Sequence, residues 1–183
     1  MLNLLLSRSR KARIWIDDLP AGVLLEPSGH IVRRFTANRT SLDSRKFAVE
    51  LFIPRGARFD YGLIGAELFP TESNALVTTI CYSIVGRLFT DSIVGGLDEV
   101  KVGLPLDYAD AVLEGITGET VEGGAPGGEL RVCWAAYGKS GSSVFFFRLL
   151  GRTLLKMMTG AAIQPDEKTM TEYFEKLSTA AQR

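Results

Sequence analysis

From residue 144 to residue 158 the chain carries Val144, Phe145, Phe146, Phe147, Leu149, Leu150, Leu154, Leu155, Met157 and Met158, apolar side chains on nearly every side of a helix. A helix without a broad polar face must be covered by protein around most of its circumference. The rest of the chain therefore has to supply a surface wide enough to bury it. Ser142 or Ser143 provides the N-cap. Upstream, Leu104-Pro105-Leu106-Asp107 opens another helix, with a proline where the first turn tolerates one. Ala109, Val112, Leu113 and Ile116 follow at i, i+3, i+4 and i+7, and Gly115 and Gly118 are candidate stops. Residues 130–137, between the two helices, have the pattern of a strand. Two apolar-faced helices joined by short linkers are expected side by side, on one face of a sheet that contains residues 75–84 and 130–137.

The first half of the chain is β-patterned. Residues 12–17 alternate. Residues 46–53 alternate more strongly, with Phe47, Val49, Leu51 and Ile53 on one face and Ala48, Glu50 and Phe52 on the other, before Pro54-Arg55-Gly56 ends the run. Residues 61–69 read as a strand because Gly62 and Gly65 weaken a helix. The β-branched run 75–84 reads as a central strand. Residues 22–26 and 31–36 flank Pro27-Ser28-Gly29-His30, a hairpin signal with a loop longer than two residues. Residues 89–94 and 100–102 are short extended pieces. Residues 117–128 are the most loop-like, a surface loop or a lid, acidic at Glu119 and Glu122. After Pro165-Asp166-Glu167, the residues Met170, Tyr173, Phe174, Leu177 and Ala181 recur at helical spacing, so a terminal helix can lie on the body or on another subunit of a homo-oligomer.

Strands first, then helices with one late strand, predict an α+β fold: a mostly antiparallel sheet with helices on one face. The 183 residues suit one domain, divided as a β-rich extension (1–60), a core (61–160) and a C-terminal helix (161–183).

Lys plus Arg and Asp plus Glu both number 21, so the formal charge is zero. That argues against bulk nucleic-acid binding as the main task. The charges fall in blocks, basic before Tyr61, acidic to Leu130, then basic, which implies internal neutralisation or a polar face for a partner. No run approaches the roughly 18 apolar residues of a membrane span. The apolar start precedes its charges, the wrong order for a signal peptide. A cytoplasmic chain is therefore expected, with Cys81 and Cys133 as buried thiols; a single disulfide between them is the alternative. The one histidine, His30, is expected in a surface turn, and neither a metal cluster nor a cofactor is expected.

Gly138, Lys139, Ser140, Gly141, Ser142 and Ser143 lie between a strand and a helix start, where backbone N–H groups and the helix dipole suit a phosphate or carboxylate. The Walker spacing fails, because Cys133 stands where a glycine is needed. Arg148, Arg152 and Lys156 recur every fourth residue as a basic ridge, either a solvated edge or a contact for an acidic or phosphate partner. Asp107, Asp110 and Glu114 share a helix face, and catalysis there would need one of them desolvated. No catalytic set is identified by spacing.

Ile93-Val94-Gly95-Gly96, followed by the stretch from Gly103 through Pro105, Tyr108 and Ala111-Val112 to Gly115-Ile116, resembles domain IV of translation elongation factor G. The later strand and the helix from Ser142-Ser143 to Lys156 continue the resemblance over about a third of the chain. It implies the left-handed split β-α-β fold, of ribosomal-protein type, and an association with the ribosome or RNA. This chain departs from the pattern by inserting residues 97–102 and by shortening the loop before Ser142, in a family whose tip loops make the ribosome contact. Gly141-Ser142-Ser143 is also similar to the phosphate loop of GHMP-type small-molecule kinases, which share the fold but are much longer. The expected function is a non-enzymatic binding or assembly module for a protein or RNA partner. The alternative is a small-molecule or phosphate-binding enzyme with its anion site at residues 138–143.

Overall fold

The computed structural model describes residues 1–39, 43–83, 86–160 and 167–180. The chain forms β1 (Leu2–Leu5), β2 (Lys11–Ile16), β3 (Gly29–Thr36), β4 (Arg45–Arg55), β5 (Arg58–Phe69), β6 (Ala75–Tyr82), β7 (Val100–Val102), α1 (Leu106–Gly123), β8 (Gly128–Gly138), α2 (Val144–Thr159) and α3 (Glu167–Ala180). The fold is α+β, with one mostly antiparallel sheet of eight strands. The order is β1-β2-β4-β5-β8-β6-β3, with β7 also on β8, and among the described strand pairs only β6–β8 is parallel. The late strand β8 inserts between β5 and β6, which are consecutive in sequence. β6 and β8, joined through α1, are direct neighbours, so the pair that is split is β5–β6. Strands from the first sixty residues occupy both edges of the sheet, with β1 at one and β3 at the other.

One edge of β8 lies against β5. The other is completed by three segments in succession. β6 covers it from Gly128 to Val132. Leu25 N–H then donates to the Cys133 carbonyl at 2.9 Å, and Ala135 N–H donates to the Val23 carbonyl at 3.2 Å. β7 takes Ala136 to Gly138. This is why residues 22–26 and 31–36 do not form the expected hairpin: the first segment is drawn to β8, and the second is β3, which pairs with β6. His30 accordingly lies in a strand instead of a turn.

α1 and α2 run parallel and side by side on one face, α2 over β4 and β5 and α1 over β6 and β3. Gly62 on β5 marks the seat of α2, since a β-carbon there would lie 2.7 Å from Leu150 Cδ1 and 3.3 Å from Phe147 Cζ. Ser143 caps α2 by accepting from Phe146 N–H at 3.2 Å, and Phe147 stacks on Tyr108 of α1 with ring centroids 4.7 Å apart. On the opposite face, Leu19 packs near Gly65 and Ile93 meets Glu50, so irregular segments cover Ala48, Glu50 and Phe52. α3 packs Met170 and Phe174 into the core, and its Glu175 accepts from Ser7 Oγ at 2.7 Å and lies 3.5 Å from the buried Arg10 guanidinium. Pro165, Asp166 and Ala181 of the expected terminal helix, and Ile84 of the expected central strand, lie outside the described residues.

Cys81 and Cys133 form a disulfide instead of the expected free thiols. They follow the Ile80–Val132 pair in the parallel register of β6 and β8, and their Cα atoms stand 4.9 Å apart, within bridging reach. Local sequence pattern could not make them neighbours, because their pairing depends on where β8 inserts.

α1 continues past both expected stops to Gly123. Gly115 does not end the helix; it lets α2 approach, and a β-carbon there would overlap the Arg148 carbonyl oxygen. Gly118 has open space around its β position. The two glycines should therefore respond oppositely to alanine. Gly115→Ala is expected to lose about 1–3 kcal/mol through overpacking, and Gly118→Ala to gain about 0.5–1 kcal/mol through helix propensity. Urea denaturation of the two variants reads both signs.

Candidate functional site

The turn before α2 is tightly self-bonded. Gly138 N–H donates to Ser142 Oγ at 2.8 Å, and that hydroxyl donates to the Tyr61 carbonyl at 2.8 Å. Tyr61 N–H donates to the Gly141 carbonyl at 2.7 Å, and Lys139 N–H to the Glu99 carbonyl at 3.0 Å. The amides best placed to hold an anion, those of Ser140 and Gly141, do bind a carboxylate, at 3.1 and 2.9 Å, and it is the chain's own Asp98. The turn itself was legible in the sequence; its contact with Asp98 was not. Asp98 lies just before β7, and no local pattern in the sequence connects it to this turn.

Beside the turn lies a groove of about 460 Å³, lined by Arg55, Arg58, Phe59 and Asp60 together with Ser140, Gly141, Ser142 and Ser143. Arg55 pairs with Asp60. Burial pushes the Asp60 carboxyl above the usual range, and the Arg55 guanidinium opposes that. The first turns of α1 and α2 meet at this end, where Tyr108 Oη donates to the Ser142 carbonyl at 3.1 Å. Leu106, Val144 and Phe145 are 47%, 41% and 52% exposed in those turns.

The basic ridge is largely turned toward α1. Arg148 pairs with Glu114, and Arg152 with Glu122 and, at 3.3 Å, with Glu119. Lys156 is exposed and forms no ion pair among the described residues. Of the three acids on the first helix, Asp107 and Asp110 face solvent and Glu114 is engaged by Arg148. At the far ends of the helices, Arg39 donates to the Gly123 carbonyl at 3.3 Å and the Thr159 carbonyl at 3.0 Å, while Arg45 donates to the Met158 carbonyl at 3.1 Å. Cations belong at helix C-termini, where the last carbonyls have no partner in the helix and the dipole is negative.

The sequence reading assigned no role to Glu50, which is fully buried in β4. One carboxylate oxygen accepts from Tyr61 Oη at 2.8 Å and from Ile93 N–H at 3.0 Å, and the other lies 3.4 Å from the Arg13 guanidinium. Arg13 in turn donates to the Asp91 carbonyl at 2.7 Å. These contacts fasten residues 91–93 to the sheet. The available signal was a carboxylate sharing a strand face with Ala48 and Phe52. Burial raises the Glu50 carboxyl above its ordinary value, opposed by the Ile93 amide, Tyr61 and Arg13. Burial also raises the Tyr61 hydroxyl, with the neighbouring Glu50 charge adding to the effect. Among the described residues no cluster of three or more His, Cys, Asp or Glu side chains is arranged to hold a metal ion, and no helix is long and apolar enough to cross a membrane.

Compared with known proteins, the chain matches no family model and no curated protein sequence. The role of the buried carboxylate is therefore tested on the chain itself. A carboxyl raised in the folded state keeps a proton that the unfolded chain releases from about 4.5 upward. Its contribution to stability therefore falls as pH rises through the interval between the unfolded and folded values, and levels off above it. Urea melts from about pH 4 to about pH 8 should show less of this decline in Glu50→Gln than in the native chain. Asp60 shifts in the same direction but is present in both proteins, so the difference isolates Glu50. Parallel stability curves would assign the pH dependence to other groups.

Proposed function

We propose that the chain is a non-enzymatic binding or assembly module whose contact surface is the shared N-terminal end of α1 and α2. The observation that carries this reading is the exposed trio Leu106, Val144 and Phe145, in the adjoining first turns of two helices packed on each other. Single exposed apolar residues are ordinary, whereas three at one end of a helix pair, beside polar residues, suit a partner. The resemblance to elongation factor G domain IV extends the proposal to a ribosome- or RNA-associated role. It is supported by the helices sharing one face and by the insertion of β8 between β5 and β6. Because Arg148 and Arg152 already pair with α1 carboxylates, the reading favours a protein surface over a nucleic-acid backbone. A single domain and a cytoplasmic location belong to the same proposal. The Cys81–Cys133 bridge weighs against the location, since disulfides persist mainly in oxidising compartments.

The test is the double variant Leu106→Asp with Phe145→Asp, checked for native circular dichroism. It is compared with the native chain in affinity purification from its source and in ribosome co-sedimentation. The expected result is at least a tenfold loss of retention, about 1.4 kcal/mol. Equal recovery of the same partners would overturn the assignment of this surface.

The alternative, a phosphate-binding enzyme, draws support from the groove of about 460 Å³ and from a turn that already holds a carboxylate. That reading requires Asp98 to yield its place. In Asp98→Ala, inorganic phosphate should bind and shift the Ser140 and Gly141 amide resonances, with weaker shifts in the native chain. Absence of phosphate-dependent shifts in both proteins would dismiss it.

A further inference from the structure

We propose that the open edge of β3 accepts an extended, acidic segment of a partner protein as an added antiparallel strand. β3 ends the sheet, and among the described residues no strand pairs with its outer side. Its phase can be read from one hydrogen bond. Ala37 N–H donates to the Asn74 carbonyl at 3.0 Å, directly continuing the register in which Thr36 faces Ala75. Antiparallel strands alternate hydrogen-bonded and non-bonded positions. Ile31, Arg33 and Phe35 therefore bond to β6, while His30, Val32, Arg34 and Thr36 present N–H and C=O groups outward. Four donors and four acceptors in a row form a template for another strand.

The side chains choose the occupant. Arg33 and Arg34 are exposed on opposite faces of the strand, and neither forms an ion pair among the described residues. Val32 is 62% exposed, and Ile31 and Phe35 are half-buried beside the arginines. Two copies of β3 are poorly suited to each other. Pairing that aligns the outward groups of two copies, His30 opposite Thr36 and Val32 opposite Arg34, would set the Arg33 side chains of the two copies directly opposite each other, and like charges there repel. A strand with two adjacent carboxylates flanked by β-branched residues meets one arginine on each face and continues the apolar strip. The inference rests on the edge of β3 alone and does not depend on the contact at the helix ends.

The probe is a fluorescein-labelled peptide of about nine residues, a typical strand length, made of valine and threonine with two adjacent central glutamates. A lysine version is the control. Fluorescence anisotropy should show saturable binding of the glutamate peptide, weakened by added salt, and none of the lysine peptide. Arg33→Glu with Arg34→Glu should weaken binding at least tenfold. Val32→Pro removes an outward N–H without touching the ladder to β6, and should weaken it similarly. Each variant is checked for native thermal unfolding, with Arg33→Gln and Arg34→Gln in reserve if charge reversal prevents folding. Bound peptide should slow amide exchange at His30, Val32 and Arg34. The proposal is overturned if the native chain shows no saturable binding, if the lysine peptide binds equally, if Val32→Pro binds as well as the native chain, or if β3 is already occupied by a second copy that the peptide does not displace.

Discussion

Every backbone group of β8 needs a partner on both sides, and that requirement arranges the molecule. β8 is buried over most of its length, and a buried N–H or C=O left without a partner is costly. β5 satisfies one side from Glu129 to Ala136, with a bulge at Cys133. The other side is filled by β6, by residues 23–25 and by β7, from three distant parts of the chain. Recruiting the second of these draws residues 17–28 against the sheet. Recruiting the third draws residues 86–99 across the face that the helices leave uncovered. The helix pair covers the opposite face, so the two layers around the sheet differ in kind: regular on one side, irregular on the other.

An irregular layer has few internal hydrogen bonds and must be held by side chains. Glu50 and Arg13 hold it at residues 91–93, and Asp98 holds it at the turn before α2. The zero formal charge thus has a structural counterpart. Much of the early basic block serves as donors: Arg13 to Asp91, Arg39 and Arg45 to helix C-terminal carbonyls. From the late basic block, Arg148 and Arg152 pair with acids of α1. Arg33 and Arg34 stand outside this arrangement.

Local periodicity was legible wherever one face meets one environment. The alternation of residues 46–53 reappears in β4, and the cap at Ser143 and the all-round apolar helix reappear in α2. What local pattern cannot carry is which strand lies beside which. Local pattern therefore could not place β8 between β5 and β6, choose the Cys81–Cys133 bridge over free thiols, or foresee the fate of residues 22–26. Reading Gly115 and Gly118 as stops had a second effect. It assigned Glu119 and Glu122 to a loop, so their approach to Arg152 was invisible and the ridge looked unpaired. The helix continues because Gly115 is needed for close approach to α2, a tertiary reason that outweighs its low propensity. At the candidate site, the turn was found from its glycines and serines, whereas Asp98 comes from a separate stretch of chain that no local pattern connects to it.

The bridge between Cys81 and Cys133 closes a covalent ring that contains β7 and α1 entire. The parallel pair β6–β8 is costly to find, because 52 residues of chain must be gathered before any ladder bond forms. In the oxidised molecule that gathering survives unfolding: β6 and β8 stay tethered at the same pair of residues however far the rest of the chain expands. The unfolded chain then retains a record of one long-range contact, across 52 residues, and a backbone cut within the ring leaves both fragments joined until a reductant separates them.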